Sequence, residues 1–204
     1  ADQTVKPIPF DPKKAAQLLT KLGWKDTDKD GVLDKMIDGK KTDLAFTLLY
    51  GGKDSEKYWT LYQEDLKKAG IKMELKQLEW NSLLKNVKTA NFDVCAMAWG
   101  GGSVDNDPKQ IWHTSSIAEG GSNYVGYSNP EADRLMDQIR EELDKKKRIV
   151  LMRKIYRMIA EDAPYTFLFN PRYYLYVTTD KIMKVKPTNK FAVGREYWYA
   201  KQAD

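Results

Sequence analysis

Cysteine and histidine are almost missing from this chain of 204 residues, which holds one of each, Cys95 and His113. A single cysteine excludes an intramolecular disulfide and the small stapled scaffolds built on them, but not a home outside the cytoplasm. One cysteine and one distant histidine cannot assemble a zinc site. No apolar run approaches the ~18 residues needed to span a bilayer. The patterns G-x-S-x-G, H-E-x-x-H, G-x-G-x-x-G and the phosphate-binding P-loop are all absent, so a hydrolase reading has no nucleophile, base or metal constellation to stand on. Cys95 lies within an apolar run and reads as a small buried hydrophobe, and His113 as a structural or surface side chain. Ala1-Asp2-Gln3-Thr4 carries no leader pattern, so the expectation is either a cytoplasmic chain or one whose leader lies outside this sequence.

What is present is ordinary globular material. A chain of this size buries roughly 70% of its unfolded surface and needs no metal or disulfide to fold. The net charge of +5 raises nucleic acid as a partner, but the 34 basic and 29 acidic side chains are interleaved. The densest basic run, Lys145-Lys146-Lys147-Arg148, follows Glu141-Glu142-Leu143-Asp144 and reads as a solvated helix face rather than a phosphate patch. No nucleic-acid partner is expected.

Periodicity gives the architecture. Asp11-Pro12 opens a helix with Ala15, Leu18, Leu19 and Leu22 on one face and Gly23 at its end. Residues 44–50 read as a strand, and 54–69 as a helix with Tyr58, Leu61, Tyr62, Leu66 and Ala69 inward and Gly70 as its stop. Ile71, Met73 and Leu75 alternate with charged residues as in a half-exposed strand. Trp80, Leu83, Leu84 and Val87 mark a short helix, and 92–99 reads as a central buried strand. This β-α-β-α-β order with short connections predicts an α/β fold with a parallel core sheet flanked by helices. Further on, Ser128 and Glu131 form a capping-box pattern, Asp144 caps a second helix that Pro164 stops, and 165–170 and 172–177 read as aromatic-rich strands. With no repeat and no low-complexity linker, 1–204 is expected to be one domain.

Two loops carry chemistry-bearing residues. Asp26, Asp28, Asp30, Gly31 and Asp34 match the start of a calcium loop, but Ile37 stands where the bidentate carboxylate should be. A polar turn held by side-chain to backbone hydrogen bonds is the expected reading, with Asp26, Asp28, Asp30 and Asp34 as weak metal candidates. The second is the loop after Trp99, which contains Gly100, Gly101, Gly102, Asp105 and Asp107. In parallel sheets ligands sit beyond the carboxyl ends of strands, where glycines let backbone approach a ligand and a carboxylate suits a cation. Trp99 and Trp112 flank this loop as candidate cleft walls, while Asp107 could equally cap the turn at Pro108.

In order along the chain, the opening Asp11-Pro12-Lys13-Lys14-Ala15, Gly23-Trp24 and the acidic loop resemble a known pattern. Phe92-Asp93, Ala98-Trp99, Asp107-Pro108, Gly121-Ser122-Asn123-Tyr124, Gly126-Tyr127-Ser128-Asn129-Pro130-Glu131 and Ile159-Ala160-Glu161-Asp162-Ala163-Pro164 continue it. The set resembles the C-terminal lobe of family 5 extracellular solute-binding proteins, the dipeptide, oligopeptide and nickel receptors of ABC importers. The resemblance implies a type II periplasmic-binding-protein lobe, a fragment of a longer two-lobe receptor. It implies a monomer located in the periplasm or held as a lipoprotein on the outer face of a membrane. It also implies a peptide ligand, or another solute such as a nickel chelate or oligosaccharide, handed to an ABC permease without catalysis or cofactor. In peptide-binding members an aspartate shortly after this Trp pairs with the peptide amino group. Here the usual spacing falls on Gly102 and Val104, so Asp105 is the nearest candidate. Tyr124 joins the expected ligand-binding set. A calcium-binding or protein-interaction domain built on Asp26–Asp34 is the alternative from another class.

Overall fold

The structure, a computed structural model, describes residues 5–100, 107–118, 120–169, 175–186 and 194–201. The chain divides into two compact units, Ala1–Pro164 and Tyr165–Asp204.

The first unit begins with helix α1 (Pro12–Lys21), whose N-cap Asp11 accepts from the Lys14 amide at 2.9 Å. Strands β1 (Asp34–Ile37) and β2 (Lys40–Asp43) form an antiparallel hairpin. Strand β3 (Ala45–Tyr50), helix α2 (Glu56–Lys68), strand β4 (Lys72–Gln77), helix α3 (Trp80–Lys88) and strand β5 (Val94–Cys95) make the expected β-α-β-α-β unit. The sheet is parallel, in the order β4-β3-β5. Buried Leu49 of β3 packs with Leu83 and Val87 of α3, and Phe92, Cys95 and Tyr124 close round them. Gly70, which follows α2, needs its φ of +78°, and a Cβ there would lie 2.6 Å from the Leu33 Cγ.

Three expectations are corrected here. The central strand is β3, not 92–99. Only Val94 and Cys95 pair, because β3 ends at Tyr50 and offers Met97–Trp99 nothing further to pair with. Leu18 of α1, its C-cap Leu22, and Tyr58 and Leu61 of α2 are exposed instead of inward. Helix α2 packs chiefly on β4, which covers only a narrow stripe of it. Contact with the sheet leaves Tyr62 and Leu66 half-buried, and the Gln63 amide donates to the Met73 carbonyl.

Helix α4 (Lys109–Trp112) leads through a loop to helix α5 (Pro130–Glu141) and helix α6 (Lys145–Asp162). The last two pack as a hairpin through Leu135, Met136 and Ile139 against Ile155 and Ile159, all 6% exposed or less. Asn129, not Ser128, caps α5, and its side chain accepts from the Glu131 and Ala132 amides. The Asn side chain reaches the first-turn amides, while the Ser128 hydroxyl turns to the Thr114 hydroxyl at 2.9 Å. Asp144 caps α6 as expected, and Ala163 in the left-handed region ends it before Pro164. Asp162 ties the end of α6 back to the start of α5, accepting from the Tyr127 hydroxyl at 2.7 Å and the Asn129 amide at 3.0 Å.

In the second unit, β6 (Ile182–Met183) and β7 (Tyr199–Ala200) pair antiparallel. Residues 165–169 and 175–177 form no strand, which corrects the reading of 165–170 and 172–177 as strands over those residues. Pro164 and Pro171 lack the amide donors a ladder needs.

Candidate functional site

Trp99 leaves the carboxyl end of β5 with its ring 47% exposed. It lies parallel to the Tyr124 ring, with centroids 5.9 Å apart and planes 9° off. The space beside Gly100 is open. Tyr124, but not Trp99, also lines a groove of about 1260 Å³ with Phe92, Asp93, Lys88, Ser116 and Val125, on the side where the chain enters β5 from α3. The pair thus offers an aromatic platform at the sheet end where ligands are expected.

The loop that presents Tyr124 is tightly determined. Asn123 is 3% exposed, and its side chain donates to the carbonyls of His113 at 3.1 Å and Tyr127 at 2.8 Å. Its Oδ1 accepts from the Tyr127 amide at 3.0 Å. The Asn123 amide donates to the Ser116 carbonyl at 3.0 Å, and a Cβ on Gly121 would lie 2.0 Å from that same oxygen. Only glycine permits this approach. Apart from the resemblance, Asn123 and Gly121 carry no sequence signal beyond a polar, glycine-containing turn.

The other candidates scatter. Trp112 is 6% exposed and meets Tyr127 edge to face at 6.0 Å, so its ring belongs to the interior of the α4–α5 region. Asp107 accepts from the Lys109 amide at 3.0 Å and lies 3.3 Å from the Arg140 guanidinium, the arrangement of a turn cap. Gly101, Gly102 and Asp105 lie outside the described residues.

His113 Nδ1 accepts from the Ser115 amide at 3.0 Å, which leaves the ring proton on Nε2, 3.6 Å from Asp137 Oδ2. Asp137 is held below the usual carboxylate range by Lys109 at 2.6 Å. Cys95 is half-buried, and burial raises its thiol pKa, which keeps it protonated and unreactive.

The acidic loop is closed on itself. Carboxylate oxygens of Asp26, Asp28 and Asp34 lie within 4.8 Å of one another, and Asp30 is not part of this group. Asp34 is buried and accepts from the Thr27 amide and hydroxyl, both at 2.8 Å. Asp26 accepts from the Gly31 amide and Asp30 from the Val32 amide. The Lys41 ammonium reaches over from β2 to bond Asp28 and lies 3.7 Å from Asp34. The Thr27 amide lowers the pKa of Asp34, with Lys41 adding to it, and Lys41 lowers that of Asp28. The spacing of the aspartates gave no sign that an internal ammonium lies among them.

A short parallel sheet flanked by helices, with its open aromatic surface past the strand ends, defines a lobe of the type II periplasmic-binding-protein class. The family model described as bacterial extracellular solute-binding proteins, family 5 Middle, matches residues 1–121, and the chain belongs to this family. It is 37% identical over 202 residues to the oligopeptide-binding protein AppA of Bacillus subtilis (strain 168), covering 98% of this chain and 37% of the relative. The structure of the Bacillus subtilis oligopeptide-binding protein AppA in complex with a nonapeptide superposes with a TM-score of 0.83 at 33% identity, over 99% of this chain and 40% of that one. NikA from Brucella suis in complex with Fe(III)-EDTA matches with a TM-score of 0.63 at 27% identity, over 79% of this chain and 32% of that one. The chain therefore spans well under half the length of these proteins. No described helix is long and apolar enough to cross a membrane.

Proposed function

We propose that this chain is the C-terminal ligand-binding lobe of the substrate-binding component of an ABC importer. It encloses a peptide against a second lobe and delivers it to a membrane permease. The observation that carries this reading is the similarity to AppA, which extends over nearly the whole chain in both sequence and structure. The lobe acts outside the cytoplasm, in the periplasm or on a lipid anchor, as a monomer and without catalysis. Trp99 and Tyr124 form the apolar wall of the cleft, and the Gly100–Gly102 backbone supplies amides to peptide carbonyls. Closure of two lobes excludes water and strengthens each polar contact inside.

Asp105 is the proposed partner of the peptide amino group. In the intact receptor, Asp105→Ala should weaken peptide binding by about 2–5 kcal/mol, the cost of leaving a buried ammonium unpaired. An unchanged affinity would remove that role. Trp112 and Asp107 are left out of the proposed contact set, because one faces the interior and the other caps a turn.

Native mass spectrometry of the intact receptor, purified from its host without denaturation, tests the ligand class. A ladder of added masses matching short peptides is expected. One non-peptide mass would move the ligand to a metal chelate, sugar or other solute.

A further inference from the structure

Helix α6 carries seven basic side chains, and its two acidic ones fall at its last two positions. Its inner stripe, Ile155 and Ile159, is buried. Its outer face is both basic and apolar. Leu143, at the tip of the α5–α6 turn, is 91% exposed, Val150 is 64% exposed and Ile149 41%. Lys146, Val150, Arg153 and Arg157 follow one another along α6 at steps of four, three and four residues, which keeps them on one exposed side, and exposed Leu143 precedes the helix in the α5–α6 turn. Among the described residues, Lys145, Lys146, Lys147 and Arg153 pair with no carboxylate, whereas Lys154 bonds Glu131 at 2.8 Å. Of the three acids at the tip, Glu141 is exposed and the other two accept from backbone amides. Asp144 accepts from the Lys146 and Lys147 amides, and Glu142 accepts from the Asp144 amide.

We infer that the α5–α6 tip and the outer face of α6 dock on an anionic lipid surface, with Leu143 and Val150 entering the headgroup layer and the lysines meeting lipid phosphates. A second lobe covering this face would have to desolvate a row of unpaired ammonium groups, and cores of protein interfaces are depleted of such charge. Neither the groove beside Tyr124 nor the smaller one lined by Thr47, Leu49 and Asp93 includes Leu143 or Val150. Single apolar side chains in a basic collar suit a fluid apolar layer better than a shaped protein partner. This surface does not depend on which solute is carried, and it lies apart in sequence from Trp99 and Tyr124. Its role would be to orient the receptor along the membrane that holds the permease.

The test is sedimentation of the intact receptor, without any lipid anchor, with vesicles of phosphatidylcholine alone or mixed three to one with phosphatidylglycerol. Binding is expected only to the mixed vesicles and should weaken as salt is raised. Each of Lys145→Ala, Lys146→Ala and Lys147→Ala should weaken it about fivefold, and Leu143→Glu should weaken it further, all with ligand affinity unchanged. Equal binding to both vesicle types would overturn the proposal. So would retention on a soluble polyanion such as heparin without vesicle binding, or Leu143→Glu and the lysine variants sedimenting like the parent.

Discussion

Two regions of this chain gather residues able to do chemistry, and they differ in what remains unsatisfied. In the acidic loop every aspartate is occupied: Thr27 donates to Asp34, Gly31 to Asp26, Val32 to Asp30, and the Lys41 ammonium lies between Asp28 and Asp34. At the end of β5, the stacked Trp99 and Tyr124 rings remain open beside the unobstructed Gly100. A saturated cluster holds a turn together. An open apolar surface on a rigid support has binding energy left to give. The carboxylate cluster has more charge, but the aromatic pair is the surface proposed here for the ligand.

The largest effect should come from breaking the support under the open region. Gly121→Ala places a Cβ against the Ser116 carbonyl, and φ at the neighbouring Gly120 is already +86°. Urea denaturation should show a loss of about 3 kcal/mol or more. A near-neutral result would mean that the loop carrying Tyr124 is not held as described. Next in size is Asn123→Ala, which strips two carbonyls and one amide of their partners and should cost about 2 kcal/mol in the same measurement.

Trp99→Ala should behave in the opposite way. The ring is half-exposed, so stability should change by under about 1 kcal/mol, while peptide affinity of the intact receptor falls about tenfold to a hundredfold. In the acidic loop, calcium at millimolar concentration should leave the parent Tm unchanged. Lys41→Met removes the internal cation, and its Tm should then rise with calcium by mass action. A calcium-dependent rise in the parent would contradict the view that Lys41 already occupies the loop.

The smallest effect is the acid dependence. The pKa values of Asp28 and Asp34 are lowered in the folded chain, and that of Glu131 falls to about 2 through Arg134 and then Lys154. A depressed carboxylate adds stability that is complete above its unfolded pKa near ~4 and disappears as pH falls through the folded value. Stability should therefore decline from about pH 5 downward, and Lys154→Met should shallow that decline.

How much of this could be read along the chain depended on the range of the interaction. Most local signals held: Asp11 and Asp144 cap the helices they precede, and the β-α-β-α-β order gave the parallel sheet, although the cap of α5 is Asn129 instead of Ser128. Interactions across space were not legible. The length of β5 depends on where β3 ends, which no pattern within 92–99 encodes. Lys41 reaches Asp28 only because the β1–β2 hairpin folds it back. Trp99 and Trp112 looked equivalent in the sequence, and only packing against Tyr124 or Tyr127 separated the open ring from the buried one. The family resemblance rested on ordered short motifs, and it reached the right fold through those local signals.

The most direct test is calorimetric titration of the intact receptor with an oligopeptide pool, comparing parent, Trp99→Ala, Tyr124→Ala and the double variant. The account predicts that each single variant weakens binding at least tenfold and that the double loses less than the sum, since the rings act as one stacked surface. Parent-like affinity in both single variants would contradict the claim that the Trp99–Tyr124 platform forms the wall of the peptide cleft.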